Sequence, residues 1–256
     1  MITAILRTKT KTGKLQFDNL VLEVTRRCNM KCAHCLRGDA QNADIWDQII
    51  DALLRQTSYI NTITFSGGEP TLRLNAIRHT LERCQQWNIP VMSFYLVTNG
   101  KHVSMEFLKL CLEWYAYCVE CGGEPDMCGV ALSQDKFHSK VSDMNKSLLS
   151  GLSFFRDSDK ETDWNKTPLI AEGNAEYLDS SKYKFRTNFE ENPNFEWFSD
   201  NELMVNDASI YVNVWGDVIK GCDFSYDTQD SGEYTYGNVM TDDLFAIFAE
   251  MAEEEG

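Results

Sequence analysis

The first half of the chain alternates short apolar runs with segments of helical spacing, and this alternation is the strongest constraint on its fold. Four runs rich in β-branched and aromatic residues have the length of buried strands, at residues 20–25, 60–65, 91–97 and 130–132. Helical spacing lies between them, at residues 45–54, 72–87 and 105–117, the last after an N-cap predicted at Ser104. This pattern predicts an α/β fold with a parallel sheet, in which the loops after the strands share one face.

The alternation is lost after about residue 150, and regular patterning returns near residue 210. Residues 157–201 are polar with scattered aromatics, which favours an irregular surface covering, with a substrate lid as the alternative. Two β-branched runs flank Trp215-Gly216 and predict a hairpin, and Thr241 is predicted to cap a final helix. The first fifteen or so residues predict a short hairpin or irregular strand. We expect a core at residues 1–200 and a C-terminal extension at residues 201–256.

Composition limits the classes of partner and the compartment. The chain has 39 acidic and 24 basic residues, and its net charge of −15 argues against nucleic acid or an anionic membrane as a general partner. No run of apolar residues is long enough for a membrane span, and residues 1–7 do not resemble a secretory signal. Together with that N-terminus, the nine cysteines predict reduced thiols in the cytoplasm and metal ligation rather than a disulfide framework.

The loop after the first predicted strand carries Cys28, Cys32 and Cys35, in the spacing Cys-x3-Cys-x2-Cys. Three thiolates can ligate three irons of a four-iron cubane, which leaves the fourth iron open to a substrate or cofactor. Zinc is the alternative, but a structural zinc site normally takes four protein ligands. A Cys3His site completed by His34 within one eight-residue loop would be sterically cramped. The loop therefore favours an iron–sulfur cluster.

A second motif, Gly67-Gly68-Glu69-Pro70, ends the second predicted strand. Two glycines allow the backbone to approach a ligand closely, and a carboxylate can accept hydrogen bonds from an ammonium group. The alternative is an ordinary strand-to-helix turn with proline at the start of the helix. The motif alone does not decide between a ligand contact and a turn.

Together the two motifs resemble the radical S-adenosylmethionine (radical SAM) superfamily. The cysteine spacing matches the family motif, and Gly67 lies 32 residues after Cys35, at the strand end where the family has its GGE motif. The resemblance covers residues 18–140 well and residues 209–250 loosely. It implies a partial (β/α)6 TIM-like barrel with a short C-terminal β-hairpin plus helix. It also implies a [4Fe-4S] cluster ligated by Cys28, Cys32 and Cys35, and SAM held by Gly67, Gly68 and Glu69.

The resemblance implies further contacts to SAM. His34 takes the place of a residue that is usually aromatic and lies near the adenine in the family. Thr98 and Asn99 resemble the family's T-N-G segment, for which a simple turn is the alternative. Ser133 and Asp135, after the fourth predicted strand, resemble an S-x-D segment that serves the SAM ribose and carboxylate. We expect nearby His138 to be a loop histidine, with a proton donor to substrate as the alternative.

The remaining cysteines carry a weaker signal. Cys118, Cys121 and Cys128 could bind zinc or an auxiliary iron–sulfur cluster, with Cys111 or Cys222 as a fourth ligand. The alternative, which we favour, is that they are free thiols acting as small apolar residues. Residues 213–239 resemble a SPASM- or twitch-type extension with a single local cysteine, which implies a truncated extension. A structural hairpin that covers the barrel edge is the alternative.

The function implied by the resemblance is radical chemistry. The cluster would cleave SAM reductively to a 5′-deoxyadenosyl radical that abstracts hydrogen from a substrate. The C-terminal resemblance favours a peptide or protein substrate, as in the maturation of ribosomally made peptides. The alternatives are a small-molecule substrate, activation of a glycyl-radical enzyme or, in another class, a non-catalytic iron–sulfur or zinc module. An external one-electron reductant such as flavodoxin or ferredoxin is implied, and no side chain is assigned to hydrogen transfer.

Overall fold

An open, mostly parallel sheet organises the computed structural model, which describes residues 13–156, 168–186 and 192–254. Its strands and those of a small second sheet are β1 (Lys14–Thr25), β2 (Thr57–Gly67), β3 (Val91–Thr98), β4 (Gly129–Leu132), β5 (Phe155–Arg156), β6 (Leu169–Ile170), β7 (Phe185–Arg186), β8 (Asn194–Ser199), β9 (Glu202–Val212), β10 (Asp217–Lys220) and β11 (Thr235–Asn238). The helices within the described ranges are α1 (Asp47–Arg55), α2 (Leu74–Trp87), α3 (Met105–Glu120), α4 (Asp143–Ser150), α5 (Tyr226–Asp230) and α6 (Leu244–Glu254).

The strand order of the large sheet is β11-β10-β9-β1-β2-β3-β4-β5, with β8 paired to β9. Strands β1 to β5 are parallel, and β9 is parallel to β1 on its other side. Strands β10, β11 and β8 are antiparallel to their neighbours, and β6 pairs only with β7 in the small sheet. The α/β partial barrel is confirmed, and the sheet is not closed. Its sixth parallel strand, β9, joins the edge at β1 rather than following β5.

The predicted strands and helices are confirmed, with shifted ends. Ser104 caps α3 as predicted, because its Oγ accepts a hydrogen bond from Phe107 N at 3.1 Å. The predicted cap at Thr241 is wrong: Asp243 Oδ1 accepts from Ala246 N at 3.2 Å, at the start of α6. The predicted N-terminal hairpin lies almost entirely outside the described residues. The segment 157–201 contains short strands where it is described.

A single hydrophobic core packs the helices against the sheet. Parallel strands covered on both faces are apolar throughout, and β4 is buried at every position. Helix α1 contributes its apolar face, and α6 contributes Phe245 and Phe248, which are fully buried in the same core as Leu15 and Phe17 of β1. Sheet and core therefore continue across the predicted boundary at residues 200–201, and the division into two domains stays a prediction. A search of the described residues finds no helix with both the length and the apolar composition needed to cross a bilayer.

The carboxyl ends of the parallel strands define the functional edge. Thr25 at the end of β1 pairs with Gly67 at the end of β2, and Thr98 at the end of β3 pairs with Leu132 at the end of β4. Successive right-handed crossovers place the loops that follow these strands on one side of the sheet. Every residue that the sequence analysis assigned to the cluster or to SAM lies at a strand end or in one of these loops.

Candidate functional site

The loop after β1 holds three free cysteines, each partly exposed: Cys28, Cys32 and Cys35. Backbone hydrogen bonds fold this loop tightly, from Cys35 N to Cys32 O at 3.2 Å and from Met30 N to Cys28 Sγ at 3.4 Å. Burial raises the pKa of Cys28 and of Cys35, so both are protonated in the metal-free protein at neutral pH. A bound metal would displace these protons, as thiolate ligation requires.

The spread of the three sulfur atoms discriminates between zinc and a larger group. Sulfur ligands of one tetrahedral zinc lie about 3.8 Å apart, given a zinc–sulfur bond of about 2.3 Å. Among the residues that the structure describes, His34, Asp135 and His138 are the one set of three whose ligand atoms all lie within 4.8 Å of one another. At least one pair of the three cysteine sulfurs therefore lies more than 4.8 Å apart, which is farther than two sulfur ligands of one tetrahedral zinc.

The Gly67-Gly68 pair brings the end of β2 against the cysteine loop. Gly67 has a φ of +140°, and a Cβ there would lie 2.1 Å from Thr25 O; at Gly68 it would lie 2.3 Å from Arg27 O. Gly68 N donates to Thr25 O and Glu69 N donates to Arg27 O, each at 2.8 Å. The contact with the backbone before Cys28 accounts for both glycines.

The Glu69 side chain is buried and accepts four hydrogen bonds. Oε1 accepts from Thr71 N at 3.2 Å, from Thr71 Oγ1 at 2.6 Å and from Thr98 Oγ1 at 2.8 Å, and Oε2 accepts from Asn99 N at 2.8 Å. Three of these bonds fall on Oε1 and one on Oε2, so Oε2 keeps an acceptor site. In this geometry the carboxylate joins the loops after β2 and β3.

Asn99 links the loop after β3 to the cysteine loop. Its Nδ2 donates to Asn29 Oδ1 at 2.7 Å and lies 3.9 Å from Cys28 Sγ. Its Oδ1 accepts from Lys101 N at 3.0 Å, which is an Asx turn, so this segment is a turn as well as a contact to the loop. Thr98 and Asn99 are thus brought beside the cysteines by the Glu69 carboxylate.

The loop after β4 reaches the cysteine loop through Asp135. Asp135 Oδ2 lies 3.1 Å from His34 Nε2, and Oδ1 lies 2.7 Å from His138 Nδ1. The His34 ring stacks on Phe137, with centroids 4.3 Å apart and planes 18° apart. Phe137 therefore covers one face of His34, and the His138 ring lies 5.2 Å from the His34 ring with the planes 79° apart. Ser133 is held beside β3 by the hydrogen bond from its N–H to Thr98 O at 2.8 Å.

His138 makes more specific contacts than its interpretation as a loop histidine indicated. Burial lowers the pKa of His138, but hydrogen bonds with Asp135 and with the Cys32 sulfur outweigh burial and raise this pKa to about 9. Burial likewise raises the pKa of Asp135, and its hydrogen bonds with His138 and His34 outweigh that effect and lower it. The pair is therefore ionised at neutral pH, next to Cys32. The three-residue spacing from Asp135 to His138 across an Asx turn is the sequence signal that marks this pair.

The comparison with protein families covers this whole group of loops. Residues 22–145 match the family model for the radical SAM superfamily, and this span contains the cysteine loop, the Gly-Gly-Glu motif and the loop with Asp135. Residues 22–145 form a radical SAM domain. The chain therefore carries an enzyme domain, and the resemblance seen in the sequence is confirmed.

Individual proteins support the fold around the radical SAM domain. Two solved structures of anSMEcpe with bound AdoMet align with 93% and 94% of this chain and with 82% of their own, at TM-scores of 0.54 and 0.52; the second also contains a Cp18Cys peptide. Their sequence identities to this chain are 16% and 14%. An uncharacterized protein from Methanocaldococcus jannaschii, MJ0907, is 37% identical over 70 residues. That match spans about a quarter of each chain, 26% of this one and 24% of the relative.

Three of the other cysteines lie on the amino-terminal side of β4, at the opposite end of that strand from the functional edge. Cys118 at the end of α3 and Cys128 before β4 are fully buried in the main core, and Cys121 is partly exposed beside them. Cys222 packs instead in a small cluster that includes Val21 and Phe224. Among the described residues, no three of these thiols come within 4.8 Å of one another. The interpretation as buried free thiols accounts for Cys118 and Cys128 without a metal.

Proposed function

We propose that this protein is a radical SAM enzyme whose cluster is ligated by Cys28, Cys32 and Cys35. The observation that carries the proposal is the convergence of three strand-end loops on the cysteine loop within a radical SAM domain. When bound, a reduced [4Fe-4S] cluster with SAM supplies a 5′-deoxyadenosyl radical that can abstract hydrogen. The reductant we propose is a one-electron protein donor such as flavodoxin or ferredoxin, in a cytoplasmic compartment that keeps the nine free cysteines reduced.

Residues of this chain would bind and orient the cluster and SAM. Three thiolates would leave one iron of the cluster without a protein ligand, and Asn99 lies beside this loop, with its Nδ2 3.9 Å from Cys28 Sγ. Gly67, Gly68 and Glu69 remain the residues proposed to hold SAM, and the Glu69 carboxylate also joins the loops after β2 and β3. His34 is the residue proposed to lie near the adenine of SAM, and Asp135 and Phe137 hold its imidazole in place. Ser133 and Asp135 remain the residues proposed for the ribose and carboxylate of SAM.

We propose a peptide or protein as the substrate. The support is the match to anSMEcpe over 94% of this chain, which includes the C-terminal extension, and the peptide in that solved structure. The similarity lies in the fold, so it supports a peptide site without specifying the sequence of the peptide. A small-molecule substrate would use the same cluster and SAM contacts, and the experiment on the substrate separates the two.

The cluster is tested by anaerobic reconstitution with iron and sulfide, followed by reductant and SAM. We expect about four irons per chain and formation of 5′-deoxyadenosine in the wild type. The variant with Cys28, Cys32 and Cys35 all changed to Ala should have neither. The matched control changes Cys121 and Cys222 to Ala, and it should retain both iron and product. One zinc per chain in the wild type, or product from the triple variant, would contradict the proposal.

The substrate is tested by deuterium transfer. Peptides encoded beside the gene are prepared with deuterium at carbon-bound positions and incubated with the reconstituted enzyme. Abstraction from the peptide transfers one deuterium to 5′-deoxyadenosine, which mass spectrometry detects. An enzyme that transfers deuterium from a labelled small molecule and from none of the peptides would replace the peptide proposal with the small-molecule one.

A further inference from the structure

Two buried arginines flank the cysteine loop, and one short segment of the C-terminal extension holds both of them. Arg26 lies two residues before Cys28, and Arg37 lies two residues after Cys35. The Arg26 side chain has no exposed surface, and Arg37 is buried as well. A buried charge is costly unless it is paired and hydrogen-bonded, so the partners of these two guanidinium groups hold them firmly in place. Residues 224–230, which we call the clasp, supply many of those partners.

The contacts of Arg26 with the clasp are polar and aromatic. Its Nη1 donates to Asp230 Oδ2 at 2.8 Å, and its Nη2 donates to Gln229 Oε1 at 3.1 Å. The guanidinium carbon lies 4.5 Å from the centroid of the Tyr226 ring, which is within range of a cation–π contact. The remaining polar partners come from the core, with Glu23 Oε1 at 2.8 Å and Gln41 Oε1 at 2.9 Å. The clasp therefore supplies two of the four side chains that accept hydrogen bonds from Arg26.

The contacts of Arg37 come from the same region. Its Nη1 donates to the carbonyl oxygen of Phe224, and its own carbonyl oxygen accepts from Tyr226 N at 3.1 Å. The guanidinium carbon lies 4.6 Å from the centroid of the Tyr211 ring in β9. Both ends of the cysteine loop are thus fixed to the clasp, although the clasp lies almost 200 residues further along the chain.

A second connection runs from the clasp to the cysteines through residues 172–174. Glu172 Oε2 accepts from Ser225 N at 3.0 Å and from Thr228 Oγ1 at 2.9 Å, both of which belong to the clasp. Asn174 N donates to Cys35 O at 2.9 Å, and its Nδ2 lies 3.5 Å from Cys32 O. The cysteine loop has no regular secondary structure of its own, so these contacts replace the restraint that a helix or strand would give.

We propose that the clasp is a positioning element for the cysteine loop, and that Asp230 acts as a positioning residue through Arg26. The inference rests on the proposed function, because it concerns the loop that would ligate the cluster. Ligands that are held in place before binding lose less conformational entropy when the metal binds. By this account, the C-terminal extension serves the cluster through hydrogen bonds rather than through ligands of its own.

The test compares Asp230→Asn with Asp227→Asn in the metal-free full-length protein. Asp227 lies in the same helix, is exposed and undergoes the same change of charge. Hydrogen exchange of residues 26–38 should be about three- to tenfold faster in Asp230→Asn, since the hydrogen bond from Arg26 loses its charged acceptor at an exposed position. Asp227→Asn should match the wild type, and Asp230→Glu should restore much of the protection. Exchange in β2 and β3 serves as the internal reference for global stability.

A second readout follows iron release to a chelator after reconstitution, with the same three variants. We expect about three- to tenfold faster release from Asp230→Asn, in parallel with the exchange. Equal exchange of residues 26–38 in the Asp230 and Asp227 variants would overturn the clasp inference, whatever the iron content. Wild-type protein that binds no cluster but shows the predicted exchange pattern would instead contradict the proposed function and leave the clasp contacts intact.

Discussion

Glu23 is a fully buried carboxylate whose two oxygens serve different parts of the fold. Oε1 accepts from Arg26 Nε at 2.8 Å and from Val214 N at 3.3 Å, and Oε2 accepts from Tyr211 OH at 2.6 Å. Burial raises the pKa of Tyr211 well above its ordinary value, so the hydroxyl stays protonated and donates. The Glu23 carboxylate therefore links the site loops to β9 by accepting hydrogen bonds from three donors.

Two tyrosines in this region give a matched pair of substitutions. Tyr211→Phe leaves a buried carboxylate oxygen without its donor, and we expect a loss of about 1.5–3 kcal/mol in the free energy of unfolding. Tyr226→Phe removes a buried hydroxyl that has no hydrogen-bond partner among the described residues and keeps the ring over Arg26. We expect it to be neutral or slightly stabilising. Urea unfolding of both variants checks this prediction, and equal losses would contradict it.

At the scale of elements, Asp51 joins α1 to α2. Its Oδ1 lies 2.8 Å from His79 Nε2 and accepts from Arg83 Nε at 2.7 Å. Burial by itself raises the pKa of Asp51, but the hydrogen bonds from Arg83 and His79 outweigh burial and lower that pKa below its ordinary 3.8. The two helices that follow β1 and β2 are thus held together by a charged contact as well as by their apolar faces.

Replacement of Asp51 by Asn should cost about 1 kcal/mol at pH 7, because the contact is only partly buried. A carboxyl whose pKa is lowered on folding contributes stability above its unfolded pKa and loses that contribution as the pH falls through the folded value. The part of the difference between wild type and Asp51→Asn that comes from ionisation of Asp51 should therefore shrink as the pH falls below about 3.8. Urea midpoints across this range measure it. Glu82→Gln, exposed on α2, is the control and should show little change at any pH.

At the scale of the whole molecule, the C-terminal extension completes the sheet rather than standing beside it. Strand β9 pairs with β1 along most of its length, and α6 buries Phe245 and Phe248 in the main core. Each fully buried side chain of this size contributes roughly 1.5–3 kcal/mol. Phe245 and Phe248 together then contribute about 3–6 kcal/mol, which is large beside the net stability of a typical domain, about 5–15 kcal/mol.

A chain that ends at residue 200 is therefore expected to lose cooperative unfolding. It would expose the β1 edge and leave the apolar face under α6 uncovered. Thermal or urea unfolding followed by circular dichroism measures this, with the full-length protein as reference. A single steep transition near that of the full chain would instead show that the core at residues 1–200 is an independent domain.

Local sequence patterns were enough to predict the secondary-structure elements and the motifs that bear the chemistry. Apolar periodicity predicted the strands and helices around the site, and the resemblance of the Cys28, Cys32 and Cys35 loop and the Gly-Gly-Glu motif to a known family predicted the radical SAM domain. These patterns lie in residues that are close together in the sequence, and their spacing along the chain does not depend on the tertiary fold. The start of α6 shows where local prediction fails. Thr241 and Asp243 are both residue types that commonly cap helices, and the turn before α6 determines which of them does so.

The roles of the buried polar groups, in contrast, depend on contacts between segments that are distant in the sequence. The glycines after β2 contact Thr25 and Arg27, and the Glu69 carboxylate is used between loops. Arg26 and Asp230 are 204 residues apart in the chain, and no local pattern predicts their pairing. Buried charges take whichever partners the packed core brings within about 3 Å, and those partners are defined only when distant segments have folded together.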